Sequence, residues 1–138
     1  AQIQSGAVDE TMADEIIRWA SPTSYFRRTA VQDFELHGKQ IKTGDKVLYW
    51  YASANRDEEA FETPFRVDLG RSPNRHLAFG QGGPHLCLGM WLARLEVRVL
   101  FQELAKRIKS IEPAGPHKFL RSNFVAGIKS LPVSVELK

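Results

Sequence analysis

The stretch FGQGGPHLCLG at residues 79–89 brings four glycines and the single cysteine of the chain, Cys87, to the threshold of a long apolar segment. From Leu88 to about Ile108, apolar residues recur at Leu92, Leu95 and Val99, and again at Val97, Leu100, Phe101, Leu104 and Ile108, a spacing that predicts a helix. The first half is apolar nearly all round, which predicts burial. A fold that accommodates this chain must launch a long helix from a loop that glycine frees to adopt backbone shapes other residues avoid.

Composition bounds the classes that remain. The 138 residues, 43% of them hydrophobic, fit one domain or a piece of a larger one. Lys and Arg number 19 against 16 Asp and Glu, a net +3 too mild and scattered to argue for nucleic acid. One cysteine excludes an internal disulfide and any multi-cysteine zinc or iron–sulfur site, and fits a reducing compartment. No apolar run reaches membrane-spanning length, and AQIQSGAVDETMADEIIRW has neither the basic start nor the apolar stretch of a signal peptide. The expectation is a cytoplasmic chain without a membrane anchor, beginning as if cut from something longer.

Upstream, Thr11 and Asp14 resemble a capping box that opens a helix over roughly Met12–Ala20, with Met12, Ile16 and Trp19 inward and an end near Ser21-Pro22. SYFRRTA, DFELHG and KVLYWYAS read as short strands of a small sheet, separated by His37-Gly38 and Thr43-Gly44-Asp45. A short helix is expected around Asp57–Phe61, then a long irregular segment to residue 78, and such segments usually serve a function. After EPAGPHK, the runs FLRSNFVAG and KSLPVSVEL read as a closing hairpin turned at Gly127.

Several readings of Cys87 compete. A buried cysteine acting as a small hydrophobe is common but leaves the glycines without a role. A nucleophile with His85 as base lacks a group to orient the imidazole. A phosphate cradle fails because no Gly-Lys-Ser/Thr follows the glycines. The remaining reading is a metal thiolate. A cysteine at a helix start faces the positive end of the macrodipole, which stabilises S⁻, and glycines beside it let a flat cofactor approach the backbone. One thiolate with no second cysteine is the ligand set of a haem-thiolate iron, where the sulfur pushes electron density onto the metal and favours O–O cleavage.

These residues resemble a known family. Phe79-Gly80-x-Gly82-Gly83-x-His85-x-Cys87-Leu88-Gly89 is similar to the cysteine-ligand signature of the cytochrome P450 monooxygenases, with seven residues rather than the usual six between the phenylalanine and the cysteine. The extra residue falls beside Phe79. Glu15-Ile16-Ile17-Arg18 resembles the Glu-x-x-Arg helix of that family, Phe61–Arg66 the segment supplying its second arginine, and Arg28-Thr29-Ala30 a strand whose arginine binds a haem propionate. By themselves Glu15 and Arg18 make an ordinary i,i+3 pair, worth roughly 0.2–0.5 kcal/mol.

The resemblance implies a mainly α fold with a small β region (α+β), residues 1–138 forming the C-terminal, haem-ligating portion of a bacterial, soluble member. It implies haem b ligated by the Cys87 thiolate, with Phe79, Gly80 and Gly89 around it and Arg28 and His85 on its propionates; Arg27 is the rival to Arg28. By the same resemblance Glu15, Arg18 and Arg66 are expected to form a buried structural triad. Tyr25, Phe26, Phe124 and Val125 lie in segments that line the substrate pocket in the family, and are expected to line it here. The implied reaction inserts one atom of O2 into a C–H bond of a small apolar substrate resembling a sterol, terpene or lipid, with electrons from a ferredoxin-type donor docking near Arg71, Arg75 and Lys106. AVDET at residues 7–11 mimics the acid-alcohol pair of the family's distal helix but lies too close to Glu15 to be it, so that helix is expected to be absent. The alternative is a haem-binding or structural fragment that turns nothing over.

Overall fold

The computed structural model describes residues 10–138. Most of the AVDET segment lies outside them. Helix α1 spans Glu10–Ala20, strands β1 to β4 span Tyr25–Thr29, Phe34–Leu36, Lys39–Ile41 and Lys46–Trp50, and a one-turn helix α2 follows at Tyr51–Ala54. Helix α3 covers Met90–Arg107 and leads into β5 (Ile108–Pro113), β6 (Lys118–Phe119), β7 (Ile128–Ser130) and β8 (Val133–Leu137).

Thr11 does not cap α1. It lies inside the first turn, and its hydroxyl donates to the Leu69 carbonyl at 2.8 Å, tying the helix to the irregular segment. The apolar face of α1 is Met12, Ala13 and Ile17, whereas Ile16 and Trp19 are half-buried. The rotation follows from burial of Glu15 and Arg18, both fully inaccessible, which occupy positions an apolar face would otherwise take.

The strands form four two-stranded antiparallel ladders, β1–β4, β2–β3, β5–β8 and β6–β7. His37 and Gly38, with φ of 49° and 72°, make the left-handed turn that a two-residue hairpin between β2 and β3 requires. Register along β1 and β4 runs from Tyr25 opposite Trp50 to Thr29 opposite Lys46. The expected helix at Asp57–Phe61 is a single turn, closed by Phe61 N–H on the Asp57 carbonyl at 2.9 Å. Three exposed acids, Asp57, Glu58 and Glu59, give it no apolar face on which to grow. The closing hairpin also differs. Leu120 N–H does bond Gly127 O at 2.8 Å, but Pro132 divides KSLPVSVEL, so β7 pairs with β6 while β8 returns to β5.

Helix and strand contribute about equally among the described residues, correcting the mainly α expectation, because the chain between α1 and α2 and again after α3 is spent on short ladders. The burial expected for α3 is also overturned: Trp91, Leu92, Leu95, Val99 and Leu100 are exposed, and α3 has no buried residue among those described. Its apolar surface exceeds what α1, its packing partner, covers. The core is small, formed by Met12, Ala13, Ile17, Ala30, Tyr51, Phe61 and Leu69.

Candidate functional site

A buried charge network anchors the irregular segment to α1. Arg18 makes a forked pair with Glu15, Nε to Oε2 and Nη2 to Oε1, each at 2.7 Å. Its Nη1 donates to the Asn55 carbonyl at 2.6 Å and the Pro64 carbonyl at 3.0 Å. The second arginine on Glu15 is Arg71, not Arg66. Arg71 Nε sits 3.1 Å from Glu15 Oε2, while the exposed Arg66 gives the network only its carbonyl, which accepts from Arg18 Nη2 at 3.2 Å. The chain turns between Pro64 and Leu69, and that turn aims Arg71 inward, so neither arginine's position in sequence marks which one is buried. Arg71 is accordingly removed from the expected electron-donor docking residues. Asn74 Nδ2 and Asp68 N–H complete the carboxylate's partners at 3.0 and 2.9 Å. Burial alone would raise the Glu15 pKa, but the Arg18 hydrogen bonds, the Asp68 N–H and the Arg71 charge outweigh it and hold the carboxyl below its usual range.

The glycine loop builds a second environment. Gly80, Gly82 and Gly83 adopt φ of 76°, 68° and 77°, the left-handed backbone that glycine alone takes without strain. Cys87 N–H donates to the Phe79 carbonyl at 3.0 Å, closing the loop, and Gly89 caps α3, so the exposed Cys87 stands at the positive end of an 18-residue helix. A cavity of about 520 Å³ opens over it, lined by Phe26, Arg28, Tyr51, Gly80, His85 and Cys87 with Thr23, Ala78 and Phe79. A neighbouring space of about 570 Å³ shares Arg28, Tyr51 and His85.

The structure therefore brings Arg28 of β1 to one cavity with Phe79, Gly80, His85 and Cys87 of the glycine loop. Arg28 lines the cavity with its guanidinium 5.5 Å from the Tyr49 ring; Arg27, adjacent on β1, does not line it. Phe26 is also on the cavity wall, 5.5 Å from Phe124 and 5.9 Å from Tyr51 in edge-on ring contacts. Tyr25 meets Trp50 at 5.0 Å and Phe124 at 5.8 Å, and Val125 bridges Thr23, so these three support the wall without lining it. Gly89 serves the helix start. Tyr51 went unforeseen: it is buried through its α2 position, and a Cβ on Gly80 would come within 3.7 Å of its hydroxyl.

The donor set fits a flat metal cofactor with acidic side arms. No group of three or more His, Cys, Asp or Glu side chains is poised for a metal among the described residues, and the exposed Cys87 offers one sulfur to the cavity. Arg28 and His85 share its cavity as partners for carboxylates, and a Cβ built on Gly82, Gly83 or Gly89 would meet nothing within 4 Å, so the loop surface is open to a planar group.

A single cysteine at a helix start beneath an aromatic, arginine-bearing cavity is the donor set that a haem-thiolate site requires. The cytochrome P450 family model matches residues 10–134, and the chain belongs to this family, whose members carry haem. It is 52% identical over 124 residues to the methyl-branched lipid omega-hydroxylase of Mycobacterium tuberculosis, covering 90% of this chain and 29% of that protein. It is 48% identical over 122 residues to cytochrome P450-terp of a Pseudomonas species, covering 88% and 28% respectively. The structure of Mycobacterium marinum cytochrome P450 CYP268A2 in complex with pseudoionone superposes with a TM-score of 0.87 at 46% identity, over 94% of this chain and 31% of that one. The chain thus spans less than a third of the length of these relatives. No helix among the described residues is long and apolar enough to cross a membrane.

Proposed function

We propose that residues 1–138 are the C-terminal, haem-ligating portion of a cytoplasmic P450 monooxygenase acting on an apolar, lipid-like substrate. The observation that carries this reading is the convergence of Cys87, Arg28 and His85 on one cavity at the start of α3. Cys87 would ligate the iron of haem b through its sulfur, and Arg28 and His85 would hold the propionates through charge-assisted hydrogen bonds. Bound haem supplies the redox chemistry by which one atom of O2 enters a C–H bond and the other leaves as water.

The chain's own residues orient and shield. Phe26, packed on Tyr51 and Phe124, gives the apolar wall on which a substrate would rest, which keeps water from the reacting face. The methyl-branched lipid hydroxylase among the relatives supports a lipid-like substrate over a polar one. Electrons would come from a ferredoxin-type donor; of the expected basic contacts, Arg75 is exposed and Lys106 is paired with Glu103 at 2.8 Å.

The share of the relatives covered, 29% or less for the curated relatives named above, favours a second reading for the chain taken alone: it holds haem but turns nothing over, with the distal, oxygen-facing helix supplied by the remainder of a longer protein. One experiment addresses both. The haem-loaded protein is reduced under carbon monoxide and its Soret band recorded, then assayed for substrate oxidation. A far red-shifted band that Cys87→Ser abolishes supports thiolate ligation, and an unshifted band in the wild type defeats it. Turnover by the chain alone would defeat the second reading.

A further inference from the structure

A polar cluster outside the cavity is left unused by the reaction proposed above. Asp14 of α1 accepts through a single oxygen, Oδ1, from Arg94 Nε of α3 at 2.6 Å, and His76 Nε2 lies 3.1 Å from the same atom. The His76 side chain is only 2% exposed. Ala78 N–H donates to His76 Nδ1 at 3.2 Å, so the ring proton resides on Nε2 and is given to Asp14. Burial lowers the imidazole pKa below its ordinary value despite the opposing pull of Asp14, which keeps the ring neutral near pH 7.

The cluster reaches the cysteine through one residue. The His76 ring lies 5.6 Å from the Phe79 ring, and the Arg94 guanidinium 5.1 Å from the same ring and 5.0 Å from Trp91. Phe79 then holds Cys87 by accepting its N–H. Between Phe79 and Cys87 stand three glycines of positive φ, a loop with little stiffness of its own, so the direction of the sulfur must be set by what clamps the loop's ends.

We propose that Asp14, His76 and Arg94 act as a positioning clamp for the Cys87 loop, fixing Phe79 from both sides and through it the backbone that aims the sulfur. The proposal rests on the reading of Cys87 as ligand. In metal sites, groups that orient a ligand from outside the coordination shell commonly change affinity by about 10–100-fold when removed. The ion pair between Asp14 and Arg94 ties α1 to α3, and both Arg94 and His76 connect that tie to the loop through the Phe79 ring.

The test compares wild type, His76→Ala, His76→Gln and Arg94→Gln as haem-loaded proteins. Reduced under carbon monoxide, His76→Ala and Arg94→Gln should convert the thiolate-type band to an unshifted one roughly tenfold faster than wild type. His76→Gln, whose amide N–H still reaches toward Asp14, should recover most of the wild-type lifetime. Hydrogen exchange of the Cys87 amide, read in the same proteins, should accelerate by about tenfold in His76→Ala. Wild-type band lifetimes and exchange rates in His76→Ala and Arg94→Gln overturn the clamp. If the wild type itself lacks the thiolate-type band, the ligand reading falls, and the exchange rate still decides whether the cluster holds the loop. If His76→Ala does not fold, His76→Gln and Arg94→Gln carry the same comparison.

Discussion

Arg71 and Glu15 meet through Nε and Oε2 at 3.1 Å, 56 residues apart in sequence, with the Glu15 side chain wholly buried and that of Arg71 9% exposed. Arg18 already neutralises that carboxylate from within α1, so Arg71 adds a second positive charge and, through Nη1 on the Glu62 carbonyl at 2.8 Å, a tie to the irregular segment.

Arg71→Ala should therefore destabilise the folded protein by about 3–5 kcal/mol, because it strips a partner from a buried charge network. Arg66→Ala keeps the carbonyl that the network uses and should stay within about 0.5 kcal/mol. Denaturant unfolding of the two variants, side by side, checks the assignment; equal losses would contradict it.

The Glu15 carboxyl is held below its ordinary 4.5, so the folded state binds its proton less readily than the unfolded chain does. Its contribution to stability is complete above that ordinary value and is lost as the pH falls through the lower, folded-state value. Unfolding free energy measured from pH 6 downward should fall below about pH 4.5 in wild type. Glu15→Gln should be less stable at pH 6 and show a flatter acid limb.

Arg28 lines the cavity and Arg27 does not. Arg28→Gln should weaken haem retention, seen as faster transfer of haem to apomyoglobin, while Arg27→Gln should leave the transfer rate at the wild-type value. A larger effect at Arg27 would exchange the two roles.

Gly80→Ala should cost about 1–2 kcal/mol, since its φ of 76° is one that a side chain strains to adopt. The new Cβ would make only an ordinary contact with the Tyr51 hydroxyl at 3.7 Å, so the loss should come from backbone strain rather than collision. Thermal unfolding of Gly80→Ala and of the double variant Gly80→Ala/Tyr51→Phe checks this: equal losses in the double variant, relative to Tyr51→Phe, are expected.

The local grammar of the chain was readable wherever a residue's own chemistry dictates its backbone. The His37-Gly38 turn, the helix stop near Ser21-Pro22, the start of α3 after Gly89 and the glycine-loop entry to Cys87 all depend on nearest neighbours. The expected helix at Asp57–Phe61 went wrong because polar spacing alone does not support a helix without a face to bury. Burial of α3 went wrong for a related reason: apolarity all round records what a segment is suited to contact, whereas exposure records what is packed against it in this chain.

The candidate site divides the same way. Cys87, His85 and Gly80 stand out by composition and spacing within one short loop, and the family resemblance rests on them. The sequence pointed to Arg66 on Glu15 and to Arg71 as a surface docking residue, favoured Arg28 over its rival Arg27, and left Tyr51 and His76 without a role. Those choices depend on which way a turn or a strand presents its side chains to residues dozens of positions away. Short-range sterics and hydrogen bonding are written into neighbouring residues, but the pairing of buried charges is decided only when tertiary packing removes water and leaves each carboxylate to the cations within reach.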